Sequence, residues 1–292
     1  MLKRPGMLCA AAFLLALALA LPALADPSVT ISSPSNNSWL KVGQGDFSCS
    51  CGTSGPDATW SVEWGYGTSF PNGNVGNSGV TFHADHGGCY HLIASIDGAS
   101  DDVYVYVAEL WDLWVDAMPG EPWGQQYYAP RNANGYVSIY ADVMDYPYPT
   151  PSGIVDWTNG SAGSSQFERR VSTATTGSTT VTATVGTSSS SATVTVYTVS
   201  DVDVTGATSG QTNTWYTPIA AENQHITVSV ELDCGTPSGA WGSVGWSGDG
   251  EMVDDYTWRI PKWTSGTKSV RIQAGDYDRT LTFHVIEVTD LS

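Results

Sequence analysis

The side chains best suited to chemistry lie in one short stretch of this 292-residue chain, HADHGGCYH at residues 83–91. It holds three imidazoles, one carboxylate and one thiol. Imidazole nitrogen and thiolate sulfur suit zinc or copper, and a strand, turn and strand could bring His83, His86 and His91 together. The spacing matches no standard zinc signature. We therefore expect a polar corner here, with a metal site at these three histidines as the alternative.

Paired acidic residues recur along the chain and raise the question of calcium, which takes clustered oxygen ligands. Asp201 and Asp203 stand where a domain junction is expected, and an ion bound there could stiffen the chain. The twelfth position counted from Asp201 is Thr212, whereas a calcium loop of this type carries Glu there. We expect solvated turn residues and no cofactor, with calcium at this junction as the alternative.

Aromatic residues are numerous, with 12 Trp and 14 Tyr. Trp241, Trp258 and Trp263 cluster near the C-terminal end without counterparts in residues 110–199. Exposed indole rings stack on sugar rings, so these three residues are the candidates for a glycan-binding face. Core filling and cross-strand pairing account for aromatic residues equally well, and the two interpretations stay open at this point.

The sequence contains no motif typical of catalysis. It lacks a Gly-x-Ser-x-Gly elbow, a His-Glu-x-x-His pair and a phosphate-binding glycine loop. Cys49-Ser50-Cys51 is not the Cys-x-x-Cys of redox proteins, and no two carboxylates are paired for acid–base work. We expect the protein not to be an enzyme.

The N-terminal residues have the pattern of a secretory signal peptide. Lys3 and Arg4 precede an apolar run over residues 7–21, and Ala23-Leu24-Ala25 is a small-x-small cleavage signal. We expect residues 1–25 to be removed and the product to be secreted, periplasmic or on the cell surface, without membrane insertion. The net charge of −18 argues against nucleic acid as a partner, because phosphate binding needs clustered Lys and Arg.

A strand pair of alternating apolar residues occurs three times, at residues 88–107, 177–196 and 266–285. Its opening glycines, Gly88, Gly177 and Gly266, stand 89 residues apart. A fixed period indicates tandem copies of one domain. The sequence therefore predicts domains at residues 26–109, 110–199 and 200–292.

Each copy also contains a Val-x-Trp strand, ending at Trp64, Trp157 and Trp246. About seven strands per copy, with turns every 8 to 12 residues, is the pattern of an immunoglobulin-like sandwich, so the predicted class is all-β. These features resemble bacterial immunoglobulin-like repeat proteins, which occur as exported adhesins, surface rods and spacer modules. The resemblance implies that Trp64, Trp157 and Trp246 are core residues. The junctions lack a Pro/Gly/Ser spacer, which favours a semi-rigid rod.

The resemblance also implies a disulfide, because such sandwiches can join their second and sixth strands across the core. Cys49 and Cys51 lie on the expected second strand and Cys89 begins the sixth. We expect a Cys49–Cys89 bond, although Cys89 has the wrong parity with Leu92 for a core position. Cys234 aligns with Cys51 and is either free, linked to Cys51 or linked to another chain.

The expected function is that of an exported, non-enzymatic structural or adhesive rod whose partners are proteins or polysaccharides at the cell surface. One alternative is a carbohydrate-binding module that uses the aromatic residues of the third domain. Another is a spacer or accessory fragment of a larger secreted protein. An exposed aromatic row would favour sugar binding, and a flat face covered by Thr and Ser would favour the spacer.

Overall fold

The computed structural model describes residues 26–116, 126–144, 152–235 and 244–287. These residues form strands and turns, which confirms the predicted all-β class. The predicted signal peptide and Trp241 lie outside the described residues. The described part of the chain contains no helix long and apolar enough to cross a membrane.

The chain divides by its packing into two compact units. Among the described residues, unit 1 comprises 26–40, 45–85 and 89–106, and unit 2 comprises 41–44, 86–88 and those from 107 onward. Unit 1 contains most of the first repeat, and unit 2 contains the second and third repeats together with residues 41–44, 86–88 and 107–109 of the first.

The strands of the first repeat form two layers. One sheet has the order β1-β3-β6-β5, and in the other β4, β7 and β8 are neighbours while β2 pairs with β8. The strands are β1 (Val29–Ser33), β2 (Ser38–Lys41), β3 (Phe47–Thr53), β4 (Thr59–Val62), β5 (Thr68–Ser69), β6 (Val80–Ala84), β7 (Gly88–Ile96) and β8 (Ala99–Val115).

The second repeat takes the C-terminal part of β8 as its first strand. Its sheets have the orders β12-β13-β10-β8 and β11-β14-β15-β9, with β9 parallel to β15. Its further strands are β9 (Gln126–Pro130), β10 (Tyr136–Met144), β11 (Asp156–Thr158), β12 (Ser161–Ala162), β13 (Glu168–Ser172), β14 (Gly177–Val185) and β15 (Ser188–Tyr197).

The third repeat has the same plan. Its sheets have the orders β16-β19-β22-β21 and β17-β18-β24-β23-β20, with β18 parallel to β24. Its strands are β16 (Val199–Thr205), β17 (Thr208–Ser209), β18 (Thr214–Pro218), β19 (His225–Leu232), β20 (Gly245–Gly248), β21 (Glu251–Asp254), β22 (Thr257–Pro261), β23 (Gly266–Ala274) and β24 (Tyr277–Ile286).

The strand order identifies the fold of each repeat. An immunoglobulin-like sandwich places its strands A, B, E and D in one sheet and C, F and G in the other. All three repeats follow this order, with an additional strand beside G, so the predicted tandem of immunoglobulin-like sandwiches is confirmed. The domain bounds stay a prediction, and β8 runs through the first of them as one strand.

The core of each sandwich comes from the inward residues of alternating strands. In β14 the inward residues Val181, Ala183 and Val185 are fully buried, while the threonines between them face outward. In β23, Val270 and Ile272 are inward and buried in the same way. Burying such a side chain stabilises a fold by about 1.5–3 kcal/mol. Alternation with a period of two therefore fixes which face of each strand carries the core.

The glycine that opens each copy of the strand pair adopts a positive φ angle, which explains why glycine recurs at this position. Gly88, Gly177 and Gly266 have φ values of 153°, 127° and 127°. Residues with a Cβ rarely adopt such angles. A Cβ at Gly177 or Gly266 would meet no atom within 4 Å. The backbone angle, and not a lack of space, therefore requires glycine there.

The core tryptophan of the first repeat is Trp60 and not Trp64, so the sequence prediction for Trp64 is wrong. Trp60 is fully buried, whereas 54% of Trp64 is exposed. Trp60 pairs with Ala94, six residues after the opening glycine, and Trp157 and Trp246 pair with the residues at that same position, Ala183 and Ile272. Trp157 and Trp246 are half-buried and face their sheets' inner side.

The predicted Cys49–Cys89 disulfide is absent, because all four cysteines of the described chain are free thiols. Cys49 points into the core from β3. Cys89 precedes the buried Tyr90 and so lies on the outer face of β7, where it hydrogen-bonds Tyr106. Opposite facing separates the two thiols. Cys234, for which a link to Cys51 or to another chain was left open, is an exposed free thiol.

Candidate functional site

A cluster of aromatic and acidic side chains lies on the outer side of the sheet in unit 1. It consists of Glu63, Trp64, His91, Asp102 and Tyr104, and we call it the aromatic–acidic face. His91 comes from β7, Asp102 and Tyr104 come from β8, and Glu63 and Trp64 follow β4. Alternation places His91, Asp102 and Tyr104 outward, because their neighbours Leu92 and Val103 are buried in the core.

His91 is the centre of this face and contacts a carboxylate with each ring nitrogen. Its Nδ1 lies 3.1 Å from Glu63 Oε2 and its Nε2 lies 2.9 Å from Asp102 Oδ2. An ionised carboxylate only accepts, so both contacts are hydrogen bonds when the ring is an imidazolium with two N–H groups. The side chain of His91 is 13% exposed, whereas those of Glu63 and Asp102 are 56% and 54% exposed. Both carboxylates therefore keep oxygen atoms in contact with solvent.

Three rings pack together around that centre. His91 stacks on Tyr104 with ring centroids 4.6 Å apart and an interplanar angle of 12°. Trp64 is tilted against both rings, at 5.3 Å from His91 and 5.8 Å from Tyr104. These separations lie in the range of favourable aromatic pairs. The indole of Trp64 is thus held in place while about half of it stays exposed.

Backbone contacts fix the segment that carries Glu63 and Trp64. The N–H of Glu63 donates to the carbonyl of His91 at 3.1 Å, which extends the pairing of β4 with β7 by one residue. Gly65 then turns the chain at φ 116° against the ring of Tyr90. A Cβ there would lie 2.1 Å from that ring, so glycine allows the close approach. Trp64 is therefore placed by a strand end and a close turn.

The other two repeats carry hydroxyl groups where the first carries these rings. Equivalent positions are found by counting from the opening glycine of each repeat. His91 lies three residues after Gly88, and Tyr104 lies sixteen residues after it. In the second repeat the two hydroxyls hydrogen-bond each other at 2.9 Å, and in the third the two residues are opposed in the register. The counterparts are Thr180 with Thr193 and Ser269 with Thr282. The aromatic–acidic face is thus peculiar to the first repeat.

The second repeat shows a continuous row of paired hydroxyls on the same sheet face. Ser178 pairs with Thr195 at 2.9 Å, Thr180 with Thr193 at 2.9 Å and Thr182 with Ser191 at 2.7 Å. Each hydroxyl has its partner within the sheet. This row therefore offers short, mutually bonded side chains.

The three histidines predicted as metal candidates have separate carboxylate partners. His83 is in unit 1 and contacts Asp46 and Asp85, and the hydrogen bond to Asp46, followed by that to Asp85, raises the pKa of His83. Its partners differ from those of His91. Within the described ranges no three His, Cys, Asp or Glu side chains are grouped to hold a metal ion.

His86 belongs to a small cavity in unit 2. The cavity has a volume of about 240 Å³ and is lined by His86, Glu109, Leu110, Trp111 and Met144. Glu109 Oε2 accepts from the backbone N–H of Gly87 at 2.7 Å and lies 3.8 Å from His86 Nδ1. The carboxylate is thus already used to hold the turn.

The third-domain tryptophans do not form an exposed row in the described residues. Trp258 is buried, stacks on Trp246 at 5.9 Å and donates from Nε1 to the carbonyl of Asp249. Trp258 is therefore a core residue, and its assignment to a glycan face is wrong. Trp263 is half-buried and packs edge-on against His225 at 5.1 Å.

The acidic residues at the predicted second junction are exposed on β16. Asp201 lies opposite Glu231 and Asp203 opposite Ser229. Asp201 Oδ1 accepts from the N–H of Val202 at 2.8 Å. The calcium alternative at Asp201 and Asp203 therefore stays a prediction.

The second repeat contains a buried carboxylate that sequence analysis missed. Glu168 is 2% exposed and accepts hydrogen bonds from the backbone and side chain of Ser164, from Ser138 and from Arg170. The bonds from Ser164, then those from Arg170 and Ser138, lower the pKa of Glu168 to about 2. The guanidinium of Arg170 also lies 4.3 Å above the ring of Tyr136. Oε2 of this carboxylate holds Ser164 in the loop before β13, and Oε1 binds Ser138 of β10 and Arg170 of β13.

Sequence reasoning also missed most of the aromatic–acidic face. It placed Trp64 in the core and considered His91 only as a metal candidate. The available signal was parity: His91 and Tyr104 both alternate with buried residues, so both face outward.

Comparison with known proteins gives likenesses in structure only. No family model matches the sequence, and no curated protein matches it. Among solved structures, a three-domain fragment of the outer capsid protein Hoc of bacteriophage RB49 is 15% identical, with a TM-score of 0.40, 89% of this chain covered and 100% of that one. Titin domains I67–I69 in an E-to-A variant are 14% identical, with a TM-score of 0.31, 90% of this chain covered and 99% of that one. The assignment of the fold stands on the strand order itself.

Proposed function

We propose that this protein is an exported, non-catalytic structural and adhesive protein whose first repeat makes the contact and whose second repeat acts as a spacer. One observation carries the proposal: the outer sheet face bears clustered rings and carboxylates in the first repeat, and self-paired hydroxyls at the same positions in the second. Exposed aromatic residues are typical of interaction surfaces. A face whose hydroxyls already bond each other has little to offer a partner.

The chemistry of the described side chains supports a role in binding. Burial raises the pKa of all four described thiols, and that of Cys49 to about 12. A nucleophilic cysteine needs the opposite shift, because the thiolate is the reactive form. Glu168 has a strongly lowered pKa, and its oxygens are all used by Ser164, Ser138 and Arg170. A general acid or base would need a pKa near the working pH.

Export is supported by the first 25 residues, which combine Lys3 and Arg4 with an apolar run and a small-x-small signal. Expression in a secreting host, followed by mass spectrometry of the N-terminus, tests this part. We expect a mature chain that starts near Asp26. Recovery of the uncleaved chain inside the cell would contradict it.

Attachment of coated beads tests the adhesive role. Beads carrying the full mature chain are washed over surfaces coated with basic protein, acidic protein, neutral polysaccharide or albumin, and the retained fraction is measured under flow. We expect retention on at least one coating, and loss of most of it in the double variant Trp64→Ala with Tyr104→Ala. Thr180→Ala with Thr193→Ala is the matched control on the second repeat and should retain binding. Retention that is equal in all three chains, or absent from every coating, rejects the proposal.

A further inference from the structure

We propose that the aromatic–acidic face binds a basic side chain of a partner protein, with arginine preferred over lysine. The inference rests on the proposed adhesive function and gives the chemistry of its partner. The guanidinium would lie against the exposed indole of Trp64 and hydrogen-bond the solvent-facing oxygens of Glu63 and Asp102.

The charge of the face is the first argument. Two carboxylates flank one imidazole, so the face keeps a net negative charge even when His91 is an imidazolium. Among the described residues, His91 is the basic group that pairs with Glu63 and Asp102. Both carboxylates are more than half exposed, so a further cation can reach them without displacing His91. The whole chain carries a net charge of −18, which attracts cations toward this surface from a distance.

The rings are the second argument. A cation held within about 6 Å of the face of an indole or phenol ring is attracted by the ring's quadrupole. Trp64 packs against His91, whose two ring nitrogens contact the carboxylates of Glu63 and Asp102, so the ring and the carboxylates favour the same ligand charge. The tilt of Trp64 against His91 and Tyr104 keeps the indole in one orientation without a partner present. Less side-chain freedom is then lost on binding.

The second repeat contains the complete version of this arrangement. There Arg170 lies 4.3 Å above the ring of Tyr136, and its Nε donates to Glu168 at 2.8 Å. One guanidinium thus uses a ring and a carboxylate together, on the outer face of an immunoglobulin-like sheet. The first repeat presents a ring and carboxylates that lack an arginine of this kind among the described residues. A partner that donates one would complete the same set of contacts.

Arginine fits better than lysine because of its shape. Its guanidinium is planar, stacks on an aromatic ring and presents several N–H donors at once, whereas an ammonium is a compact, strongly hydrated charge. A neutral sugar would use the same indole but would gain nothing from the net charge of Glu63 and Asp102. Oligosaccharide binding is therefore the competing result.

Titration of the full mature chain with defined probes tests the proposal. The probes are a blocked Gly-Arg-Gly-Arg-Gly peptide, its lysine and glutamine counterparts, and a neutral oligosaccharide. NMR follows the indole N–H signals, with that of Trp64 assigned by Trp64→Phe. We expect the arginine peptide to shift the Trp64 signal first and to bind more tightly than the lysine peptide, with no response to the glutamine peptide. Trp64→Ala should weaken binding about 2- to 5-fold, as expected for an exposed cation–π contact.

Matched variants separate this site from general attraction to an acidic protein. Asp102→Asn and Asp203→Asn remove the same charge from the first and third repeats, and Trp64→Ala and Trp111→Ala remove an exposed indole from each unit. The proposal requires a larger loss of affinity in the first member of each pair. Equal losses would show non-specific attraction and overturn it. A Trp64 shift caused by the oligosaccharide and not by the arginine peptide would also overturn it.

The bead and peptide experiments fail independently. Peptide binding at Trp64 without bead retention leaves the arginine site standing and rejects adhesion. Bead retention that depends on Trp64 and Tyr104, without peptide binding, keeps the adhesive function and rejects arginine as its ligand.

Discussion

The indole nitrogen has a backbone partner at the core tryptophan position of every repeat. The three tryptophans at the repeated core position each donate from Nε1 to a backbone carbonyl: Trp60 to Gly76, Trp157 to Gln166 and Trp246 to Asp255, at 2.9, 2.8 and 3.0 Å. A buried indole needs such an acceptor, because an unsatisfied buried donor is costly. The rings of Trp64 are instead packed on an outer sheet face.

Replacement of Trp60 and Trp64 should therefore give very different results. Trp60→Ala removes a fully buried ring and should lower the free energy of unfolding by about 3–5 kcal/mol. Trp64→Ala removes a half-exposed ring and should change it by less than about 1.5 kcal/mol, the size of one aromatic pair. Denaturant unfolding measures both. A larger loss from Trp64 than from Trp60 would restore the sequence-based assignment.

Glu168 should make the protein sensitive to acid. Its pKa falls from an ordinary value of 4.5 to about 2 in the folded chain, so it stabilises the fold above pH 4.5 and loses that contribution as the pH falls toward 2. Glu168→Gln should lower the melting temperature at pH 7 by several degrees and flatten its dependence on pH in that window. The exposed Glu231→Gln is the control. Parallel pH profiles for the native chain and Glu168→Gln would refute the assignment.

At the scale of elements, the alternation of apolar residues was enough to predict the strands and the class. Val181, Ala183 and Val185 face the core as their spacing required. The register of the third strand could not be obtained in this way. Trp157 and Trp246 each precede their glycine by 20 residues, whereas Trp60 precedes Gly88 by 28, because the first repeat has a longer connection between these strands. The Val-x-Trp pattern pointed to Trp64, whose separation of 24 residues from Gly88 is closer to 20 than that of Trp60.

The aromatic–acidic face was beyond sequence reasoning for a related reason. Alternation gives the outward facing of His91 and Tyr104, but not which residues of β4 lie beside them. Glu63 reaches His91 only because β4 pairs with β7 in the register Val62 to Leu92. Contacts between side chains of neighbouring strands depend on the register of those strands. The longer connection in the first repeat made the register of β4 with β7 unpredictable from the sequence.

The opening glycine of the strand pair should be intolerant of a side chain. Gly266→Ala places a Cβ on a residue at φ 127° and should cost about 1–3 kcal/mol of stability, although the space around it is free. Gly245→Ala, in the neighbouring strand β20, meets only ordinary contacts at 3.6 Å or more and serves as the control. Thermal unfolding of both variants measures the difference. Equal melting temperatures would contradict a backbone origin for the repeat.

At the scale of the whole molecule, the net charge of −18 opposes compaction. Raising the ionic strength from about 0.01 M to about 0.15 M shortens the screening length from about 30 Å to about 8 Å. We expect the melting temperature to rise by a few degrees over this range, equally in sodium and potassium chloride. A fall with added salt would show that attractive ion pairs outweigh the repulsion. A rise specific to one cation would point to ion binding instead.

The strand β8 is shared by two repeats, and this restricts how the chain can be rearranged. Val103 and Val105 face the core of the first repeat, and Leu110 and Leu113 are buried in the second, on either side of a bulge at Trp111. One continuous strand thus carries the inward-facing residues of two successive sandwiches. Insertion of a single residue would invert the facing of every side chain beyond it. An exchange of domains within β8 must therefore keep the number of residues between the inward positions of the two repeats. A repeat joined here with one residue more or fewer would turn its core residues to the outer face.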